Sequence, residues 1–231
     1  MKKLLLSYFI LFVVIAFTAC KKKNTTPSNT AKVMFVNGCA GAAAIDIAAN
    51  SVNVPGATNI AFQKTTGYRT LTAGAGINIG VSINASGLIT PLISSSVSFA
   101  VNNTYSVFIG GIFTKPNILT TQDDMTTPPA GFSKIRFVNL SSDTLNENFY
   151  VGSVKIDSNV GYASYTSFRQ VPVSTTPVTV LVQDPAHPTK IAQLDNQTFA
   201  AGKIYTIILT GTSTAAPSSS SALKLLIIPN N

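Results

Sequence analysis

From residue 33 onward, short runs rich in Val, Ile, Phe, Tyr and Thr recur along the chain. Gly, Asn, Ser and Pro separate them at intervals of roughly ten residues, the spacing of strands and turns. In the first half the runs include Val33–Asn37, Ile77–Ile83, Val97–Val101 and Tyr105–Ile109. In the second they include Ile135–Asn139, Val178–Val182, Thr198–Ala200 and Tyr205–Leu209. Several alternate. In INIGVSI (77–83) every odd position is apolar, which puts one face on a core and the other in water. No window beyond the N-terminal segment carries a capped helical pattern, so the expected fold class is all-β.

The same runs come in two ordered sets. KVMFVN (32–37) matches KIRFVN (134–139), and Ser51-Val52-Asn53-Val54 matches Ser153-Val154-Lys155-Ile156 at the same offset. After a loss of two residues, Tyr68-Arg69 matches Phe168-Arg169, Phe99-Ala100 matches Phe199-Ala200, Tyr105 matches Tyr205 and Gly111 matches Gly211. A period this long is a domain rather than a solenoid repeat. The expected architecture is therefore two tandem immunoglobulin-like β-sandwiches, at 32–120 and 133–231, each folding independently. The linker at 121–132 (TQDDMTTPPAGF) is stiffened by Pro128-Pro129. The chain has no Trp and no second cysteine within a unit, so the pin of antibody domains is absent and the likeness is architectural. A strand at 223–229 (LKLLIIP) closes the second unit. Its Leu225 and Ile227 face one way and Leu226 and Ile228 the other, as suits a strand covered on both sides.

The N-terminus reads differently. Lys2 and Lys3 precede an apolar run from Leu4 to Phe17, then the small residues Thr18 and Ala19, then Cys20. This order of charge, apolar core and small residues is a secretory signal, and the run is short for a transmembrane helix. FTAC (17–20) resembles a lipobox, with Phe17 where Leu is usual. The expectation is a signal peptide at 1–19, lipid attachment at Cys20 and a polar tether over 20–31. The chain would then be a lipid-anchored protein of the cell envelope. By analogy Lys21, in place of a retention aspartate, favours the outer membrane.

That processing changes the meaning of the charge. The formal +8 suggests an anionic partner, but Lys2, Lys3 and Lys21 to Lys23 lie in the signal and tether. Eleven basic residues then face eight acids, leaving +3 with no basic patch, and nucleic acid drops out. With Cys20 lipidated, Cys39 has no partner and no disulfide framework exists. Cys39 is expected as a small, semi-buried residue.

The openings KVMFVN and KIRFVN, together with Ile45-Asp46-Ile47, Gly67-Tyr68-Arg69 and Ala73-Gly74, resemble the domain of unknown function 4397. So do the closing FAVNNTYSVFIGG and FAAGKIYTIILTG, and the junction DDMTTPPAGFSKIRFVN. The second copy departs from the pattern at Asn148 and at Pro172-Val173-Ser174. The resemblance covers nearly all of 32–231. It implies two copies in a Bacteroidetes-type lipoprotein, an immunoglobulin-like sandwich, and no assigned activity.

The chain is poor in residues that carry catalytic or metal-binding chemistry. The lone histidine, His187, sits in DPAHP (184–188) and reads as an exposed turn residue rather than a zinc ligand or a triad base. Ala73-Gly74-Ala75-Gly76 opens no helix and reads as a turn. Asp123 and Asp124, with Asp143, are the one candidate calcium set, but the spacing supplies too few oxygens and a solvated acidic pair is the expected state. In Tyr68-Arg69 and Phe168-Arg169 the aromatic is expected in a core and the arginine outside. No catalytic, cofactor-binding or metal residue is assigned, and the expected protein is not an enzyme. It is read as a binding or interaction module for a glycan or protein, with a ligand-free structural spacer and an accessory hydrolase subunit as alternatives.

Overall fold

The computed structural model describes residues 29–188 and 191–231. The expected signal peptide, Cys20 and the tether as far as residue 28 lie outside the described residues. Among the described residues the chain is all-β: eighteen strands in four sheets, without a helix.

Each half contributes two sheets. In the first half, β1 (Thr30–Asn37), β5 (Thr65–Thr72), β8 (Thr104–Ile112) and β9 (Lys115–Gln122) form a sheet in the order β5-β1-β8-β9. Facing it are β2 (Ala44–Ala49), β3 (Val52–Asn53), β6 (Gly74–Ala85) and β7 (Leu88–Phe99), in the order β3-β2-β6-β7, with β4 (Ile60–Ala61) beside β2. The second half repeats the plan. Its β10 (Phe132–Asn139), β13 (Ser164–Tyr165), β14 (Arg169–Pro172), β17 (Ile204–Thr210) and β18 (Lys224–Pro229) make one sheet. Its β11 (Glu147–Val151), β12 (Val154–Val160), β15 (Val178–Gln183) and β16 (Ile191–Gln197) make the other. The parallel pairing of β1 with β8 starts at Lys32 opposite Thr104, and that of β10 with β17 at Lys134 opposite Ile204.

The repeated motifs now have physical reasons. Asn37 and Asn139, which end the two FVN runs, are fully buried. The Asn37 amide donates to the carbonyls of Ala42 and Ile60 and its oxygen accepts from the Cys39 N–H. Asn139 donates to Val160 and accepts from Ser141 in the same way. Each asparagine thus satisfies buried backbone groups of the turn that follows it and of a strand of the facing sheet. Tyr105 accepts the Ala100 N–H at 2.9 Å and packs its ring 5.0 Å from Phe99; Tyr205 accepts from Ala200 at 3.1 Å and packs 5.1 Å from Phe199.

Three apolar cores separate the four sheets. Val33, Phe35, Val107 and Ile109 meet Ile45, Ile47, Ile79 and Val81 in the first. Ile135, Phe137, Ile207 and Leu209 meet Phe149, Val180 and Val182 in the second. The third lies between the halves: Met34, Val36 and Phe108 pack on Val138, Leu140, Ile208 and Ile228. The layers therefore stack as four sheets with β1, β8, β10 and β17 covered on both faces. Strands buried on both sides need apolar residues at successive positions. That is why β1, β8 and β17 read as near-continuous apolar runs while β6 alternates; β10 is as buried but carries Lys134 and Arg136 among its apolar residues. β18 takes part in two cores: Leu225 and Ile227 pack in the second, Leu226 and Ile228 in the central one.

The central layer is a close contact, not a hinge across a stiff linker. Gly38 passes so near Leu140 that a Cβ there would lie 2.6 Å from Leu140 Cδ1. Gly38 and Leu140 each follow the FVN asparagine of their own half, so corresponding positions meet across the seam, as in an isologous interface. The backbone joins in: the Gly111 N–H donates to the Leu140 carbonyl at 3.0 Å, and the Thr210 hydroxyl to the Gly38 carbonyl at 2.7 Å.

Candidate functional site

Among the described residues, three places where polar side chains gather bear on function. The first is inside the seam. Arg136 projects from β10 and is almost wholly buried. Its Nε donates to Thr206, Nη1 to Thr121 and Nη2 to Ser106, at 2.8–3.0 Å. Its Nη2 also lies 2.8 Å from Asp123 Oδ1. That contact is an ion pair without hydrogen-bond alignment, since Oδ1 accepts no bond. Asp123 Oδ2 accepts from the Tyr68 hydroxyl at 2.6 Å and from Ser106 at 2.7 Å. The Asn230 amide donates to Tyr68 across the seam. The guanidinium stands 5.4 Å from the Phe108 ring and 4.7 Å from that of Phe168. Burial and the Asp123 charge hold the Tyr68 phenol well above its ordinary pKa. Burial pulls the Arg136 pKa down while Asp123 opposes it. Every Arg136 nitrogen has a partner, so this hub is a lock between halves rather than an open site.

The hub corrects one expectation and extends another. Asp123 is not a solvated acid: it is buried because Arg136 offers a countercharge. Asp124 is half-exposed and pairs with Lys134 at 2.6 Å; that ammonium and the Thr126 hydroxyl hold its carboxyl down at about 2. Asp143 accepts instead from Ser141, Ser213 and Thr214, so the candidate calcium set is not assembled. Among the described residues no three His, Cys, Asp or Glu side chains gather where they could hold a metal. Arg69 and Arg169 point outward as expected. Tyr68 and Phe168, however, pack at the seam, not in their own half's core. Cys39 is fully rather than partly buried, and burial pushes its thiol up to about 11.

The second place is at one end of the second half. A cavity of about 100 Å³ is lined by Asp143, Glu147, Asp184 and His187. His187 Nδ1 is 2.9 Å from Asp184 Oδ2, and the imidazole is largely exposed, as a turn residue should be.

The third place is open. Where β8 turns into β9 with only Phe113 and Thr114 between, β17 and β18 are joined by the long Ser-rich loop 211–223. That loop is held by Asp143 of its own half, which accepts from Ser213 and Thr214, and its end borders a cleft of about 380 Å³ at the seam. Phe62 and Gln63 line it from the first half, and Ser220, Ser221 and Lys224 from the second. A larger groove of about 920 Å³ runs along the outer face of β2, β6 and β7 between uncharged residues such as Asn50, Asn53, Asn78 and Ser82.

Sequence reasoning did not single out Arg136, Gln63 or Lys224. Arg136 left a trace, since KIRFVN puts arginine where KVMFVN has Met34. Gln63 and Lys224 left none, because their meeting depends on how the halves dock.

The fold and these sites define an all-β protein of four stacked sheets whose buried polar residues fasten two similar halves. The chain belongs to the family of domains of unknown function DUF4397, whose profile matches residues 31–146. The match covers the first half and continues to the loop before β11. No curated protein matches the chain. Among solved structures, one described as a candidate cell adhesion protein from Bacteroides uniformis is 9% identical and aligns over 88% of this chain and 100% of its own, with a TM-score of 0.26. A score that low does not establish a shared fold.

Proposed function

We propose that this chain is an envelope-anchored, non-enzymatic binding module: two immunoglobulin-like sandwiches held as one rigid body and tethered through a lipid on Cys20, at the outer membrane. The observation that carries the reading is the division of polar groups. Inside, they close on one another in the Arg136 hub and fix the geometry of the pair. Outside, uncharged and cationic groups line a seam cleft and an outer groove that a rigid pair presents in constant shape. The sandwich reading is supported by one core between each pair of facing sheets and by the tyrosine hydroxyl that accepts a backbone N–H five residues upstream in each half. The partner is a glycan or a protein.

A second reading, a ligand-free spacer, is favoured by the seam itself, since a locked pair is a stiff rod. A glycan array and an envelope pull-down with the full-length protein in detergent separate the two. Saturable capture of a defined glycan or protein supports the module; none in either assay supports the spacer. Metabolic palmitate labelling tests the anchor: it is expected in the wild type and lost, with release into the soluble fraction, in Cys20→Ala.

A further inference from the structure

We propose that the seam cleft binds a carboxylate-bearing saccharide, an inference that rests on the binding-module reading and names its ligand class. The two halves repeat each other in strand order and in their buried asparagines and tyrosines, and they differ most where the first has a two-residue turn and the second has residues 211–223. A loop that departs from an otherwise repeated plan, resting on a rigid scaffold, is where a binding function is expected to reside. Its volume of about 380 Å³ lies in the range of small-ligand sites, which favour the joints between domains.

The side chains around it are underused. Gln63 Nε2 is shut off from solvent and has no hydrogen-bond partner. An amide donor in that state has given up its water without a replacement partner, which is a cost to the fold. The Gln63 backbone sits at φ +64°, a left-handed conformation rare for a residue with a side chain. Gln63 therefore carries two costs at one position, both at the edge of the cleft. A rotation about its terminal torsion, which is broad for an amide, turns the donor toward a ligand acceptor. Ser220 and Ser221 offer hydroxyls that bond to nothing among the described residues, Phe62 offers part of a ring, and Lys224 is exposed without an acidic partner. Lys224 is the sole charge in the lining, so the cleft is cationic. An aromatic face, an amide, two hydroxyls and one ammonium suit a sugar ring carrying a carboxylate. They suit a neutral sugar less, because Lys224 would lose water without gaining a countercharge.

The test is calorimetric titration of the full-length protein in detergent with trigalacturonate and, separately, with neutral maltotriose. Trigalacturonate is expected to bind at least ten-fold more tightly. Lys224→Gln should erase that preference, and Lys224→Arg should keep it. Gln63→Leu removes the amide donor and should weaken trigalacturonate several-fold with the melting temperature held or raised. Equal affinity for both sugars, no heat with either, or unchanged trigalacturonate binding in Lys224→Gln overturns the inference. If trigalacturonate fails while the array or pull-down still finds a ligand, the cleft assignment falls and the module stands. Blank results in all three assays remove both.

Discussion

Arg136 and Asp123 face each other at 2.8 Å across the seam, with side chains 1% and 0% exposed. Neither charge would be tolerated there alone, because a buried ion without a partner loses several kcal/mol of hydration. Corresponding positions in the two halves show how the pair is placed. Arg136 occupies the position of Met34 in the repeated run. Asp123, just after β9, corresponds to Asn230, just after β18; their backbone N–H groups donate to the matching carbonyls of Thr104 and Ile204. The seam is thus nearly symmetric in shape but carries one cation and one anion, each in a different half.

This symmetry gives the first prediction. Arg136→Met should strand the Asp123 carboxylate and cost about 3–5 kcal/mol, and Asp123→Asn should strand the guanidinium at a similar cost. The double variant places at both positions the residue type of the opposite half and removes both charges of the hub pair. It should recover most of the loss. Urea unfolding of the four proteins gives the coupling energy directly; additive losses would mean that the two charges do not compensate each other.

The central core predicts how the chain melts. Its seven fully packed side chains each contribute roughly 1.5–3 kcal/mol of burial that neither half can supply alone. Calorimetry of the full chain should show one transition whose van't Hoff and calorimetric enthalpies agree. Two resolved transitions would mean that the halves fold independently, as linker-separated units do.

How far the sequence was legible follows from the range of each interaction. The all-β class, the repeat and the alternation of β6 rest on neighbours along the chain and on one core each. The run MFVN and the both-faced LLII were visible as patterns, but what covered their second faces depended on docking. Asp123 shows the limit most clearly. Beside Asp124 and two prolines it reads as a linker acid, and only the arrival of Arg136 from the next strand buries it. Asp124, one residue on, stays half-exposed and behaves as linker acids do. The cleft was illegible because it belongs to neither half.

Cys39 predicts an alkaline weakness. Its folded-state pKa of about 11 stands above the ordinary thiol value of 9.0, so its neutral form is favoured by folding. That contribution is intact below about pH 8.5 and is lost as pH rises from about 9 toward 11. The span of two units corresponds to roughly 2–3 kcal/mol. Tyr68, also raised, adds to the loss from about pH 10 upward. Cys39→Ala keeps the N–H that donates to Asn37 and removes the thiol. Its urea midpoint should therefore fall less between pH 8 and pH 10 than that of the wild type. Parallel curves would mean that the thiolate is tolerated in the fold.

The last strand has the widest reach for its length. β18 pairs antiparallel with β17 from Thr210–Lys224 to Tyr205–Pro229 and closes the edge of its sheet. Leu225 and Ile227 enter the second core while Leu226 and Ile228 enter the central one. Removing it withdraws four apolar side chains, worth roughly 1.5–3 kcal/mol each where fully buried. It also takes away Asn230, which donates to Tyr68 and accepts from Thr206 in the hub. The ladder bonds of β17 would then face solvent on that side. A typical domain has about 5–15 kcal/mol of stability in all. Truncation after Gly211 should leave the second half unfolded or lower the melting temperature sharply, and it should disturb the first half too, because Met34 and Phe108 would lose Ile228. The milder Ile228→Ala, confined to the central core, should cost about 2–5 kcal/mol. Under a shared core it destabilises both halves together, as read by hydrogen exchange at Phe35 in one and Phe137 in the other. Exchange that quickens only at Phe137 would show that the central core does not couple them.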